Sequence, residues 1–91
     1  DGKAKEVAIV YQVKVHVALK KGVLDPQGDT IKGALGVLDF KGINSVRVGK
    51  MFEISMDGET MEQVEQQVIL MCKKLLANPV IEQYSYEIME V

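Results

Sequence analysis

A strictly alternating segment near the start of the chain is the feature that most constrains its fold. Val13, Val15 and Val17 occupy every second position, and polar residues fall between them. This period of two is typical of a β-strand with one buried face and one solvated face. Shortly afterwards, Asp25 and Pro26 have the chemistry of a helix N-cap followed by the first helical position. The sequence therefore predicts a half-buried strand that leads through a short loop into a helix.

Length and composition limit the number of domains and the classes of partner that the chain can have. Its 91 residues are enough for one domain with a small core. A net charge of -2 gives no field that attracts nucleic acid or an anionic membrane. No apolar run approaches the roughly 20 residues that cross a bilayer, and the single Cys72 suits a buried thiol in a reducing compartment, so we expect a soluble, cytoplasmic protein. We also predict that residues 1–8 form a disordered extension, or are a remnant of an expression vector, and that 9–91 form a single domain.

Two segments show the apolar spacing of three and four residues that is typical of amphipathic helices. The first covers residues 26–39. The second covers residues 61–77, where Thr60 and Gln63 form a capping box and Asn78-Pro79 ends the helix. The predicted apolar side of the second helix consists of Met61, Val64, Val68, Met71, Cys72, Leu75 and Leu76, with Leu70 pointing roughly the opposite way.

Alternation also predicts a hairpin in the middle of the chain. Its first strand carries Val46 and Val48, and its second begins at Phe52. A three-residue loop, Gly49-Lys50-Met51, sets Val48 opposite Phe52 and keeps the apolar side chains on one face, whereas a two-residue loop mixes the faces. A last strand follows over residues 81–89.

The predicted order is strand, helix, strand, strand, helix, strand. This order predicts an α+β, ferredoxin-like βαββαβ fold with two helices on one face of a four-stranded antiparallel sheet. The scaffold hosts many unrelated functions, so the fold does not identify one.

The chain lacks the groupings that catalysis or cofactor binding requires. His16 is the only histidine and falls on the polar face of the first strand, without a neighbouring acid or a second metal ligand. No phosphate-binding glycine pattern is present, and the polar face offers no aromatic on which RNA bases stack. These observations argue against catalysis, metal binding and RNA binding by this chain.

The sequence also indicates self-association. Gly33 and Gly36 project away from the apolar side of the first helix, which indicates either close approach by another chain or a weak helix held by tertiary packing. A sheet with one open face and free edges is poorly protected alone, so we expect a homo-oligomer. The predicted interface residues are Gly33, Gly36, Met51, Leu70 and Met89.

Three segments together resemble the PurS family, the small subunit of phosphoribosylformylglycinamidine (FGAM) synthase. They are KKGVLDPQG at 20–28, VRVGK at 46–50 and LLANPVIE at 75–82. The similarity covers about residues 11–90, and three motifs in order are far more specific than any one of them.

The resemblance implies a non-catalytic, structural subunit of de novo purine biosynthesis. Its implied partners are an ATP-dependent synthetase, PurL, and a glutaminase, PurQ. The assembled C–N ligase converts formylglycinamide ribonucleotide, ATP and glutamine to formylglycinamidine ribonucleotide, ADP, phosphate and glutamate. The family subunit forms dimers or dimers of dimers and bridges the two partners so that ammonia passes between them. It implies no cofactor on this chain, whereas the complex uses ATP, Mg and glutamine.

We predict that the first junction and the hairpin loop form the docking surface for these partners. Asp25, Pro26 and Asn78-Pro79 have a second interpretation as a helix cap, a helix start and a helix stop, and both interpretations stay open. The predicted partner-binding residues are Lys20, Lys21, Asp25, Pro26, Gln27, Gly28, Arg47, Gly49, Lys50, Asn78 and Pro79.

Two alternatives belong to other functional classes. One is a small-molecule-sensing regulatory domain of the same fold, which would bind an amino acid at a dimer interface near the glycines of the first helix. The other is an oligomerisation module with no further partner.

Overall fold

The protein was analysed as a computed structural model that describes residues 9–91. The predicted extension over residues 1–8 lies outside the described residues. The elements are β1 (Ile9–Leu19), α1 (Pro26–Val37), β2 (Gly49–Gly58), α2 (Met61–Met71) with a π-helix (Cys72–Leu76) directly after it, and β3 (Glu82–Glu90). None of the helices in this part of the chain is long and apolar enough to cross a membrane.

The described strands form one antiparallel sheet in the order β2-β1-β3. Val15 of the central strand lies opposite Phe52 of β2 and Tyr86 of β3. Because side chains alternate between the faces of a strand, this register places the apolar residues of all three strands on one face. The alternation predicted for β1, the later part of β2 and β3 is therefore confirmed.

The predicted fourth strand is wrong. Gly49, Lys50 and Met51 do not form a loop, because they pair with β1 and belong to β2. Residues 40–48 form neither helix nor strand. The N–H of Val48 donates to Asp25 at 2.8 Å, so this segment packs against the start of α1. Val46 and Val48 are half-buried whereas Ser45 and Arg47 are exposed, so the apolar alternation here belongs to a packed segment that does not join the sheet.

The core lies between β1 and α2. Three valines of β1 and three residues of the helical segment are completely buried: Val13, Val15, Val17, Val64, Val68 and Cys72. The helix start is fixed by the predicted pair of Thr60 and Gln63. Thr60 Oγ1 accepts from the N–H of Gln63 at 3.1 Å, and Gln63 Oε1 accepts from the N–H of Glu59, one residue before the N-cap that a standard capping box uses, at 2.7 Å. Helix α2 thus covers the middle of the sheet.

The predicted helix over residues 61–77 changes its geometry at Cys72. From there the chain forms a π-helix, and the N–H of Ala77 donates to the carbonyl of Cys72, five residues back, at 3.0 Å. The wider turn rotates later side chains relative to an α-helix. Ala77 is consequently buried and Leu75 is 82% exposed. The prediction that Leu75 belongs to the buried side is therefore wrong.

Helix α1 does not lie on the sheet, which corrects the expectation of two helices on one face. Apart from the buried Gly28 and the half-buried Leu35, all of its residues are exposed. The chain has a Cα radius of gyration of 18.1 Å, where a compact domain of this length has about 12 Å. The helix ends at Val37, two residues earlier than predicted, and Asp39 then adopts a left-handed φ of 68°. Helix α1 therefore projects as an arm.

Candidate docking surface

Three loop segments meet at the end of the sheet where β1 ends and β2 and β3 begin. These are residues 20–25, 46–50 and 77–82, and we call this region the docking end. Arg47 links two of the segments, because its Nη1 donates to the carbonyl of Val23 at 2.8 Å and its Nη2 to the carbonyl of Lys20 at 3.2 Å. A guanidinium suits this role because its planar donors reach two acceptors at once.

Asp25 is the buried carboxylate of the docking end, with 5% of its surface exposed. Its Oδ1 accepts from the N–H of Gly28 at 2.9 Å, and its Oδ2 accepts from the N–H of Val48 at 2.8 Å. The Val48 and Gly28 amides, with a smaller contribution from the positive charge of Arg47, hold the pKa of Asp25 below its usual value of 3.8. The predicted N-cap is confirmed, and the same side chain also holds the segment before β2.

Lys20 joins the first loop to the turn before β3. Its backbone N–H donates to the carbonyl of Ile81 at 2.8 Å, and its Nζ donates to the carbonyl of Pro79 at 2.8 Å. Within the turn, the side chain of Asn78 accepts from the N–H of Val80 at 3.0 Å. The Asn78-Pro79 pair therefore ends the helical segment, as one of its two interpretations predicts, and presents a carbonyl to Lys20.

A salt bridge crosses the central strand at the docking end. Lys50 of β2 and Glu82 of β3 approach to 3.7 Å between Nζ and Oε2. The other carboxylate oxygen of Glu82 accepts from the N–H of Asn78 at 2.7 Å. Glu82 thus ties the turn before β3 to the edge strand on the far side of β1.

Two of the predicted glycines are required by close packing within the chain. A Cβ added to Gly28 would overlap the carbonyl oxygen of Val46, and one added to Gly49 would lie 2.9 Å from the carbonyl oxygen of Val17. Neither site has room for a side chain.

The structure brings most of the predicted partner-binding residues together. Lys20, Asp25, Gly28, Arg47, Gly49, Lys50, Asn78 and Pro79 all contribute to the packing and bonding described above. Lys21, Pro26 and Gln27 are exposed beside them. Sequence reasoning missed Glu82 and the backbone amide of Val48. Both lie within the quoted motifs VRVGK and LLANPVIE, but their contacts with Asp25 and Lys50 join distant segments and cannot be read from a local pattern.

The predicted oligomer-interface residues are all exposed, but they do not form one patch. Gly33 and Gly36 lie on α1, where nothing stands within 4 Å of an added Cβ. Leu70 lies on the outer side of α2, and Met51 and Met89 lie on the open face of the sheet, away from α2.

Among the residues that the structure describes, the reactive side chains do not converge on a catalytic arrangement. His16 and Lys14 line a shallow depression of the open sheet face together with Glu87. Burial raises the pKa of the Cys72 thiol, so it stays protonated at neutral pH. Within residues 9–91, no group of three or more His, Cys, Asp or Glu side chains is placed to hold a metal ion.

Comparison with known proteins supports the resemblance found in the sequence. The family model of PurS, described as phosphoribosylformylglycinamidine (FGAM) synthase, matches residues 12–90. The chain belongs to the PurS family. The PurS subunit of Methanocaldococcus jannaschii is 46% identical over 82 residues, which cover 90% of this chain and 99% of that protein. The Bacillus subtilis PurS subunit is 44% identical over 82 residues, or 90% of this chain and 96% of the relative.

Solved PurS structures share the fold. The crystal structure of M. jannaschii PurS superposes with a TM-score of 0.81 and covers 89% of this chain and 98% of its own. A chain in the structure of PurLQS from Thermotoga maritima is 29% identical with a TM-score of 0.77, covering 90% of this chain and 98% of that one. All three segments that carry the PurS resemblance, 20–28, 46–50 and 75–82, meet at the docking end.

Proposed function

We propose that the chain acts as a non-catalytic connector in FGAM synthase and holds the synthetase and glutaminase subunits so that ammonia passes between them. As a PurS-family member, the chain is a subunit of this enzyme of purine biosynthesis. The observation that carries the connector role is the meeting of the three PurS-like segments at the docking end. There the polar groups of Asp25, Lys20 and Arg47 bond to the protein's own backbone. These bonds hold the loops in place, and the loops form the surface that a partner would contact.

The internal bonds of the docking end explain how such a surface would work. Binding orders loops and side chains at a cost of about 0.5–1.5 kcal/mol for each immobilised flexible side chain. Arg47, Asp25 and Lys20 already tie the three loops together before a partner arrives. A larger part of the interaction energy then remains available for holding the complex.

The chemistry of the reaction is assigned to the other subunits in this proposal. ATP, magnesium and glutamine would be used by the synthetase and the glutaminase, and this chain would contribute geometry. We place the assembly in the cytoplasm, which suits the buried free thiol of Cys72.

Reconstitution of the enzyme tests this function. The synthetase and glutaminase subunits of the same organism are assayed for FGAM formation with glutamine or with ammonia, with and without this chain. We expect the glutamine-dependent rate to require the chain, because the glutaminase must be held against the synthetase. We expect the ammonia-dependent rate to change much less. An equal glutamine-dependent rate without the chain would contradict the proposal.

We further propose that the chain self-associates through the α1 arm. Support comes from the exposed apolar side chains along and after the helix: Val37 is 84% exposed, and Ile31, Leu38 and Phe40 are also exposed. A shallow groove between Pro26, Ile31 and Val48 continues this surface. Exposed apolar area of this kind gains free energy when a second copy covers it.

Sedimentation at micromolar concentration tests the self-association. We expect a mass that is a multiple of 10.1 kDa. Phe40→Asp should shift the mass toward one chain because it places a charge in the covered surface. Leu24→Asp, which places the same charge on an exposed apolar residue outside α1, is the matched control. A mass of one chain for the unaltered protein would refute the proposal.

A further inference from the structure

Charge is separated between the two ends of the sheet, although the chain as a whole is nearly neutral. The docking end and the π-helix next to it carry six cations: Lys20, Lys21, Arg47, Lys50, Lys73 and Lys74. The opposite end carries four acids: Asp57, Glu59, Glu62 and Glu90. The net charge of -2 hides this separation. Charge gathered in this way acts on a partner at the distance of an encounter.

The carboxylates near the docking end are already engaged. Asp25 accepts two backbone N–H groups, and Glu82 bonds to Lys50 and to the N–H of Asn78. By contrast, the side chains of Lys21, Lys73 and Lys74 form no hydrogen bond or ion pair with residues 9–91. Like charges in one region repel one another, and an acidic partner would relieve this repulsion.

The π-helix adds an apolar centre to these lysines. It rotates Leu75 outward to 82% exposure directly after Lys73 and Lys74, and Val80 in the following turn is 78% exposed. An isolated π-helical turn is rare and occurs frequently at functional sites. Exposed apolar residues that neighbour charged ones along the chain suit a protein interface, which has an apolar middle and a polar rim.

We propose that this region binds an acidic protein surface on one of the larger subunits, with Leu75 and Val80 in an apolar depression and Lys21, Lys73 and Lys74 against carboxylates around it. The inference rests on the proposed connector function. It adds Lys73, Lys74, Leu75 and Val80 to the predicted partner-binding residues, which already include Lys21. Exposed aliphatic side chains favour a protein over a nucleic acid, which would be held by stacking on aromatics.

A second copy of this chain is a less suitable occupant. Its acidic end has the complementary charge, but contact between unlike ends is head-to-tail. Such contacts form open chains unless their rotation closes a ring. An acidic surface on a different subunit can pair with the same lysines through a single contact.

The test compares two double charge reversals in the full chain. Lys73→Glu with Lys74→Glu changes the proposed rim, and Glu59→Lys with Glu62→Lys reverses two exposed charges at the opposite end of the sheet, away from the rim and from α1. Association with the synthetase and glutaminase subunits is measured at several salt concentrations, after far-UV circular dichroism has shown that each variant is folded. We expect the first variant to lose about tenfold in affinity and much of the salt dependence, and the control to stay within about twofold.

Leu75→Asp tests the apolar centre independently of the lysine rim. Its side chain is exposed, so the fold should persist while association weakens by at least about tenfold. If the unaltered chain binds the larger subunits and Lys73→Glu with Lys74→Glu binds them equally well, the inference is wrong and the connector function stands. If the unaltered chain binds neither subunit, the connector function itself fails. Tighter binding of single-stranded RNA than of either subunit would also overturn the inference.

Discussion

The two helices of this chain have similar amphipathic sequences but different surroundings. Helix α2 buries Val64 and Val68 completely against the valines of β1. Helix α1 exposes Ile31 and Val37 and packs against little of the described chain beyond its first turn. An apolar stripe therefore predicts that a helix will be covered, but it does not say by which molecule. In a connector subunit, that difference separates the part that folds the chain from the part that is available to other chains.

The largest expected effect comes from placing the same charge on each helix. Val68→Asp puts a carboxylate into the dry core, and because this costs several kcal/mol against a typical total stability of about 5–15 kcal/mol, we expect the domain to unfold. Val37→Asp on the exposed arm should change the free energy of unfolding by less than about 1 kcal/mol. Urea unfolding followed by circular dichroism, at a dilution at which the chain is a single copy, measures both. Equal destabilisation by the two changes would mean that α1 is packed in the isolated chain.

A smaller effect distinguishes the attached start of α1 from its free remainder. Gly28→Ala should cost about 1–3 kcal/mol of folding free energy, because the new methyl group overlaps the carbonyl of Val46. Gly33→Ala has open space around it and should raise stability by about 0.5–1 kcal/mol, since alanine favours the helix. Thermal unfolding of the two variants compares them directly. A stabilising Gly28→Ala would show that the first turn is not held against residues 46–48.

The smallest effect concerns pH. The folded-state pKa of Asp25 lies below its unfolded value of 3.8, so its contribution to stability is complete above that pH and is lost as the pH falls through the folded-state value. We expect Asp25→Asn to be less stable than the unaltered chain near neutral pH, with the difference shrinking below pH 3.8. Denaturation midpoints measured from neutral pH down to acid would follow this change. A constant difference would mean that the carboxylate charge does not hold α1 and the segment before β2.

Much of the fold follows from local pattern. The alternation of β1, the Asp25-Pro26 helix start and the helix start at Thr60 all specify structure through near neighbours, and each is confirmed. The segment before β2 does not form the predicted strand, because the N–H of Val48 donates to a distant carboxylate, Asp25, and not to a neighbouring strand. The outward turn of Leu75 depends on a π-helix that the apolar spacing of the helical segment does not reveal.

The sequence predicted which residues lie at the docking end, but it did not predict what each of them does there. The motifs pointed to Lys20 and Arg47 as contacts for a partner, whereas their donors bond to carbonyls of the chain itself. Sequence motifs identify which segments matter, but hydrogen bonds between loops far apart in the chain decide which side chains remain available. On this basis, Lys73 and Lys74 are better candidates for partner contact than Arg47.

Hydrogen exchange of the backbone amides tests the contrast between the helices most directly. The chain is measured alone at dilution and in the assembled enzyme. We predict slow exchange in α2 under both conditions, and fast exchange in α1 beyond its first turn that becomes slow only on assembly, because another chain covers it. Equally slow exchange of both helices in the dilute, single chain would contradict the account.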